Sequence, residues 1–338
     1  MTLTVDQLSE SGLLARIFPR LPTGTSTLLG PGDDSAIIAA PDGRTVISID
    51  TQVQDRDFRL TWPNGYATTG FDVGWKAAAQ NLSDINAMGA VATAMVVSLT
   101  LPGTTPVAWV EGLAEGLGAA IAALGAGQCS VAGGDLSGGS EIVVTVAVTG
   151  SLEGRDPVLR SGAQAGDKVA VCGNLGRSAA GWALQESTLG PERHTESMQR
   201  AVSLFNRPQP PLAAGPAAAR AGATAMMDIS DGLLRDAGRL AAASGTRLDL
   251  SGVVMGKMAE KLAECAQALG ADPLQWVLTG GEDHGLLSTF PANTALPQGF
   301  VAIGSVVSAD ASQPAVSIDG RNFKSVVDGA VGWDHFAV

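Results

Sequence analysis

The stretch FDVGWKAAAQNLSDINAMGAVATAMVVSLTLP, residues 71–102, decides the fold. Its first part is rich in Ala, carries no Pro and ends at Gly89, which predicts a helix. Its second part, VATAMVVSLTLP, is apolar and partly β-branched and closes at Pro102, which predicts a strand. A helix running straight into a strand belongs to a layered α/β architecture. The helix is made of small and apolar residues that suit burial, yet it contains Asp84, with Asn81 one turn earlier on the same face. A lone carboxylate buried there would be costly. Asp84 therefore admits two readings: a capped or salt-bridged structural residue, or a ligand for a metal or a bound molecule.

Outward from this stretch, residues 6–20 read as a short amphipathic helix, and SAIIAA (35–40) and RTVISID (44–50) as strands, the second ending at Asp50. Residues 51–69 show no period and contain Pro63-Asn64-Gly65, which predicts a loop. A long helix over 106–125 and a strand over 141–150 come next. The segment EGRDPVLRSGAQAGD (153–167) breaks the apolar pattern with charge, Pro and Gly. After it the chain restarts with a strand (168–173), a helix (178–187), a polar loop (190–200), a strand (223–230), a helix (231–245), a strand (246–250), a helix (256–269) and further strands. The expected architecture is α+β, two α/β domains over 1–150 and 151–338. Each half holds a Gly-Gly-acidic turn, GGD at 133–135 and GGED at 280–283.

Composition narrows the function. The 338 residues include 33 acidic and 21 basic ones, a net charge of −12, so direct binding to nucleic acid or to an anionic membrane is not expected. Gly supplies 43 residues, many in turns beside acidic residues, a pattern that suits backbone brought close to a ligand. Cys129, Cys172 and Cys265 have no metal-binding or disulfide spacing and suit a reducing cytosol. The N-terminus lacks the pattern of a signal peptide, and no apolar run reaches membrane-spanning length, so a cytoplasmic protein is expected.

The chemistry sits in the carboxylates. GPGDDSAII (30–38) places Asp33 and Asp34 side by side at the edge of an apolar run, where they repel one another. Asp34, Asp50, Asp84, Asp135, Asp228 and Asp231 nearly all stand where a strand ends or a Gly-rich turn begins, mostly without a Lys or Arg nearby in sequence. In DISDGLL (228–234), Asp228, Ser230 or Asp231 could instead cap the helix that begins at Gly232. As a set, these oxygens are the hard ligands that Mg²⁺ prefers, and bound Mg²⁺ would let so acidic a chain hold a polyphosphate. No P-loop or GxGxxG fingerprint occurs, and His194, His284 and His335 are too scattered for a triad.

Taken in order, GDDSAII, SIDTQVQDRDF, WKAAAQNLSDINAMGA, GGDLSGG, RSGAQAGDKVAVCGNLG, MMDISDGLLRDAGRL, TGGEDHGLL and the terminal GWDHF resemble the thiamine-monophosphate kinase family, within the aminoimidazole-ribonucleotide-synthetase-like superfamily. The resemblance spans almost the whole chain. It implies ATP-dependent phosphorylation of thiamine monophosphate to thiamine diphosphate by direct in-line transfer, with several Mg²⁺ ions and with ATP as donor. It implies an N-terminal mixed-sheet domain that binds ATP and Mg²⁺ and forms the interface of a homodimer, and a C-terminal α/β domain that completes the active site. Residue by residue, it makes Asp34, Ser48, Ile49 through its backbone, Asp50, Asp84, Asp135, Asp228 and Asp231 the Mg²⁺ ligands, with Asp34, Asp84 and Asp228 carrying catalysis through the metal. It sets Gly134, Asp135, Arg160 and Ser230 along the nucleotide phosphates, and Asp57, Glu282 and Trp333 against the substrate. Asp57 stands where many family members carry His; an anion there suits the cationic thiazolium and not a phosphate.

Two rivals stand beside this reading, one inside the superfamily and one from another class. Another ATP-using enzyme of the superfamily is one. A selenophosphate synthetase would carry a reactive Cys and a Lys in its N-terminal segment, where residues 1–35 have neither. A hydrogenase-maturation relative would end in Cys, where this chain reads DHFAV. The other rival is a non-catalytic nucleotide- or metal-binding protein, for which Arg160, Ser230 and Glu282 would serve as well as for an enzyme.

Overall fold

The structure, a computed structural model, describes residues 3–30, 36–322 and 332. Asp33, Asp34 and Trp333, and with them part of the GDD and GWDHF motifs, lie outside the described residues. The chain forms two compact units, Met1–Ile85 with Ala90–Gly154, and Asn86–Gly89 with Arg155–Val338.

The first unit contains α1 (Glu10–Ile17), β1 (Thr27–Leu29), β2 (Ile37–Ile38), β3 (Val46–Val53), α2 (Gly70–Ala87), β4 (Val91–Leu101), α3 (Val107–Ala123), β5 (Ser130–Gly138) and β6 (Val143–Ser151). β1 pairs with β2, and the other four strands form a mixed sheet in the order β3-β6-β4-β5, with β4 and β5 parallel. One face of this sheet carries the buried Val97, Leu99, Val144, Val146 and Val148. α2 and α3 cross at glycines: a Cβ on Gly74 would fall 2.0 Å from the Leu113 carbonyl oxygen, and one on Gly116 2.2 Å from that of Phe71. Part of the high glycine content therefore serves close helix packing rather than ligand turns.

The second unit contains β7 (Lys168–Cys172), α4 (Arg177–Glu186), α5 (Glu196–Asn206), α6 (Ala214–Arg220), β8 (Ala225–Ile229), α7 (Leu233–Ser244), β9 (Arg247–Leu250), α8 (Gly252–Glu260), α9 (Ala263–Leu269), α10 (Pro273–Thr279), β10 (Gly285–Phe290), β11 (Phe300–Val307), β12 (Val316–Ile318) and β13 (Arg321–Asn322). Its strands form one mixed sheet in the order β13-β12-β9-β11-β7-β10-β8, in which only β9 and β12 run parallel. Ala170, Met226, Leu286 and Phe290 lie at its core, where Phe290 meets Phe300 edge-on with centroids 5.4 Å apart.

Five local expectations are corrected. The helix expected over 6–20 is a shorter α1 flanked by 3₁₀ turns at Val5–Gln7 and Phe18–Arg20, since Ser9 caps it through the Gly12 N–H and Pro19 stops the α-helix from continuing. The strand expected to stop at Asp50 runs to Val53, because Thr51, Gln52 and Val53 continue its alternation. Residues 196–200, expected in a loop, begin α5: Thr195 caps the helix, and Met198, Ala201, Val202 and Phe205 form its buried stripe. The helix expected over 256–269 is two helices, α8 and α9, with α10 after them. Finally, GGD at 133–135 is no turn. It lies inside β5, beside β4. Among the described residues no helix is long and apolar enough to cross a membrane.

Candidate active site

Strand alternation sorts the residues of the first unit. Along β3, Ser48, Asp50 and Gln52 share one side, and Ile47, Ile49 and Thr51 share the other. The first side faces α2. Ser48 Oγ donates to Asp84 Oδ2 at 2.5 Å, and Gln52 Nε2 donates to Gln80 Oε1 at 2.9 Å. Gln80 and Asp84 are one helical turn apart, so α2 presents both to the strand. Asn81, on the sequence reading a companion of Asp84, is fully buried and turns its amide back to the Ala77 carbonyl. The backbone of Ile49 stands opposite Ala147 in the ladder, while its side chain is exposed.

The sheet register separates these residues from Gly134 and Asp135. The lateral row of Asp50 runs through Val146 and Val97 to Gly134, and that of Asp135 runs through Ser98 and Thr145 to Thr51. Asp50 and Asp135 thus lie on opposite edge strands and opposite faces, about 14 Å apart for three strand spacings. Asp135 is exposed and accepts a hydrogen bond from Ser137. At Gly134 a Cβ would fall 2.1 Å from the Val97 carbonyl oxygen, which explains the glycine inside a strand.

Asp57 is half-buried and engaged by its own loop: its Oδ2 accepts the Val53 N–H at 2.7 Å. Its carbonyl accepts from Lys76 Nζ at 3.3 Å, and Lys76 is only 2% exposed. The sequence reading missed this buried lysine. It sits on α2 four residues after the buried Asp72, a spacing that was there to be read.

In the second unit Asp228 is buried in β8, opposite Leu286 of β10, and its Oδ2 lies 3.7 Å from His284 Nδ1. α7 opens at Gly232 with no side-chain cap, so the capping alternative for Asp228, Ser230 and Asp231 does not hold. Asp236 reaches back instead and accepts the Asp231 N–H at 3.0 Å. Asp231 has cations the sequence reading did not find, since Arg239 lies 2.6 Å and Arg235 3.9 Å from its Oδ2. Arg239 is eight residues on, reachable only because the chain turns from β8 into α7. Burial pushes the Asp236 carboxyl up to about 6; the Asp231 N–H and Arg239 oppose the rise, and the charges of Asp228 and Asp231 add to it. Arg160 is exposed, and its carbonyl accepts from Ser244 Oγ at 2.9 Å. Glu282 is half-buried with a left-handed backbone, φ 63°, and its N–H donates to the Ser230 carbonyl at 2.8 Å.

Among the described residues, no three His, Cys, Asp or Glu side chains gather closely enough to form a metal cage by themselves. The donor chemistry nevertheless fits a hard cation. Ser48, Asp50 and Asp84 bring hydroxyl and carboxylate oxygens to one side of β3, and Asp228 adds a buried carboxylate in its own unit.

Comparison with known proteins agrees with this architecture. Residues 32–152 match the family model of the AIR synthase related protein N-terminal domain, and residues 164–289 match that of the C-terminal domain. The chain is 45% identical to the thiamine-monophosphate kinase of Mycobacterium tuberculosis, over 98% of this chain and 93% of that one. It is 38% identical to the thiamine-monophosphate kinase of Corynebacterium glutamicum, over 86% of this chain and 88% of that one. A solved structure described as AaThiL complexed with AMPPCP and TMP superposes with a TM-score of 0.73 at 29% identity, covering 99% of this chain and all of that one. Near-complete coverage of both chains, at these identities, leaves one conclusion: the chain belongs to the thiamine-monophosphate kinase family.

Proposed function

We propose that this chain transfers the terminal phosphoryl group of ATP to the phosphate of thiamine monophosphate, giving thiamine diphosphate and ADP. The observation that carries this is the likeness, over 99% of the chain, to a structure holding both AMPPCP, an ATP analogue, and TMP. An oxygen of the acceptor phosphate forms the new bond to the γ-phosphorus in line with the leaving β–γ bridging oxygen, which departs with ADP. The acceptor is already ionised at neutral pH, so no strong base is required, and positioning with charge neutralisation does most of the work.

Asp34, Ser48, the Ile49 carbonyl, Asp50, Asp84, Asp135, Asp228 and Asp231 are the proposed holders of Mg²⁺. Bound Mg²⁺ supplies charge neutralisation on the phosphoryl oxygens. Supporting this, Ser48 and Asp84 are already joined, and Arg239 and Arg235 both approach Asp231 at Oδ2. Gly134, Asp135, Arg160 and Ser230 are proposed along the nucleotide phosphates. Asp57, Glu282 and Trp333 are proposed for the thiamine moiety.

We also propose that the chain works as a cytoplasmic homodimer through the open face of the four-stranded sheet. Ile49, Ala147 and Val96 form one lateral row of that face, with Ile49 63% and Val96 45% exposed.

The test is turnover of purified protein with ATP, Mg²⁺ and thiamine monophosphate, quantifying thiamine diphosphate and ADP. Equal amounts of both products, lost on addition of EDTA, are expected. Binding of ATP and Mg²⁺ without product would overturn the assignment.

A further inference from the structure

The turn at residues 280–285 is held in place by more bonds than its length requires. Asp283 is 4% exposed, and its Oδ1 accepts the Ser178 N–H at 2.9 Å in the first turn of α4. Ser178, 1% exposed, also donates through Oγ to the Glu282 carbonyl at 2.9 Å, so one buried serine grips the turn twice. From β8 and the residue after it, the Ser230 carbonyl accepts the Glu282 N–H at 2.8 Å and the Ile229 carbonyl accepts the His284 N–H at 3.1 Å. The approach is so close that a Cβ on Gly281 would stand 2.4 Å from the Ser230 carbonyl oxygen.

This anchoring maintains a costly backbone. Glu282 and His284, on either side of Asp283, both adopt left-handed conformations, with φ 63° and 51°. Side chains other than glycine take that region at a cost, and it persists only where surrounding bonds over-determine it. Asp283 is itself a costly anchor, since burial pushes its carboxyl up. A fold seeking stability alone would not bury a carboxylate to hold two strained neighbours. What the arrangement does fix is the direction in which the Glu282 side chain leaves the backbone.

We propose that Asp283 is a positioning residue for the substrate: with Ser178 it locks the left-handed backbone of Glu282 and so aims the Glu282 side chain at the thiamine moiety. The proposal rests on the reading of Glu282 given under Proposed function. Asp283 touches no reacting atom; it acts through its neighbour.

The test uses the full chain. KM for thiamine monophosphate and for ATP, kcat and the melting temperature are measured for wild type, Asp283→Ala, Asp283→Asn, Ser178→Ala, the Asp283→Ala/Ser178→Ala double variant and Glu282→Gln. Asp283→Ala is expected to raise KM for thiamine monophosphate about tenfold and KM for ATP less than about threefold. Asp283→Asn keeps an oxygen for the Ser178 N–H and should recover most of the loss. The double variant should be no worse than Asp283→Ala, because both changes act through Glu282.

An Asp283→Ala enzyme with KM for thiamine monophosphate within about twofold of wild type overturns the proposal. So does an equal rise in both KM values with a lower melting temperature and no recovery in Asp283→Asn, which is how a merely structural residue behaves. If Asp283→Ala does not fold, Ser178→Ala decides alone, and an unmoved KM for thiamine monophosphate there is a refutation. A wild-type chain that makes no thiamine diphosphate overturns the functional reading and the proposal with it. An active wild type with Glu282→Gln unaffected overturns the role of Glu282 and this proposal, and leaves the activity standing.

Discussion

Ser48, Asp50 and Asp84 of the first unit stand on a strand and a helix, whereas Ser230, Asp231 and Glu282 of the second stand on turns where β8 and β10 give way to irregular backbone. On the regular elements each side chain's direction is set by its position in a period: Ser48 and Asp50 alternate with Ile47 and Ile49, and Asp84 shares a face with Gln80. On the turns, direction comes from bonds that follow no period: Ser178 reaches Glu282 from more than a hundred residues away, and Asp236 reaches back to Asp231 from the next helix. The first arrangement resists backbone change but depends on each carboxylate. The second depends on a few backbone contacts that any added atom would break.

The first half of that contrast is tested hardest at Asp84. Asp84→Asn keeps shape and the ability to accept from Ser48, and removes one negative charge from the side of β3 proposed to hold the cation. Turnover should fall by roughly two to three orders of magnitude, the scale for removing a preorganised electrostatic contact. The melting temperature in the absence of metal should hold or rise, because Asp50 on the same side of β3 loses a like charge facing it. A variant retaining about half of wild-type kcat would show that Asp84 is the structural residue of the alternative reading.

The second half is tested next, at the backbone. Gly281→Ala would put a methyl carbon 2.4 Å from the Ser230 carbonyl oxygen, a contact that only a backbone shift can relieve. A loss of about 2–3 kcal/mol in chemical denaturation is expected, together with a raised KM for thiamine monophosphate. Wild-type stability with wild-type KM would mean that this turn is softer than its bonds suggest.

The sequence was legible where the first arrangement holds. The helix and strand of residues 71–102 announce themselves by composition, and Asp84 stands out as a carboxylate among the small and apolar residues in the later turns of that helix. It was less legible on the turns. Arg239 is eight residues from Asp231, and Ser178 is more than a hundred from Asp283, so neither pairing leaves a local signal. GGD looked like a turn because glycine usually marks one, yet in β5 it answers to crowding by Val97 across the ladder. The β3 register carries the Ile49 and Ala147 row to Val96 on β4, a neighbourhood that exists only once three separated strands are paired.

A smaller effect separates the strained turn's charge from its shape. The folded-state pKa of Asp283 is raised by burial, so the native protein holds that proton more tightly than the unfolded chain does. Stability from this group is therefore fully present below the ordinary carboxylate range, and is lost as pH rises through the raised value. Asp283→Asn removes the titration and keeps an acceptor for Ser178. The variant should melt higher than wild type at pH 8, with the advantage shrinking as pH falls toward 4. A melting-temperature difference that does not change across that range would show that the carboxyl pays no burial cost.

The smallest effect isolates the turn from the helix beside it by making one substitution in two places. Gly238 lies inside α7, where an added Cβ would meet nothing within 4 Å. Glycine in a helix interior gives up backbone entropy on folding and buries no side chain, so Gly238→Ala should stabilise the protein by about 0.5–1 kcal/mol. The same methyl group at Gly281, just past the end of α10, should destabilise it. Opposite signs, read by denaturation under one set of conditions, would locate the constraint in the contact with Ser230 rather than in glycine as such. If Gly238→Ala also destabilised, the α7 surface would have a neighbour that the described residues do not supply, and the open side of the helix after the Asp228–Asp231 motif would be the place to look for it.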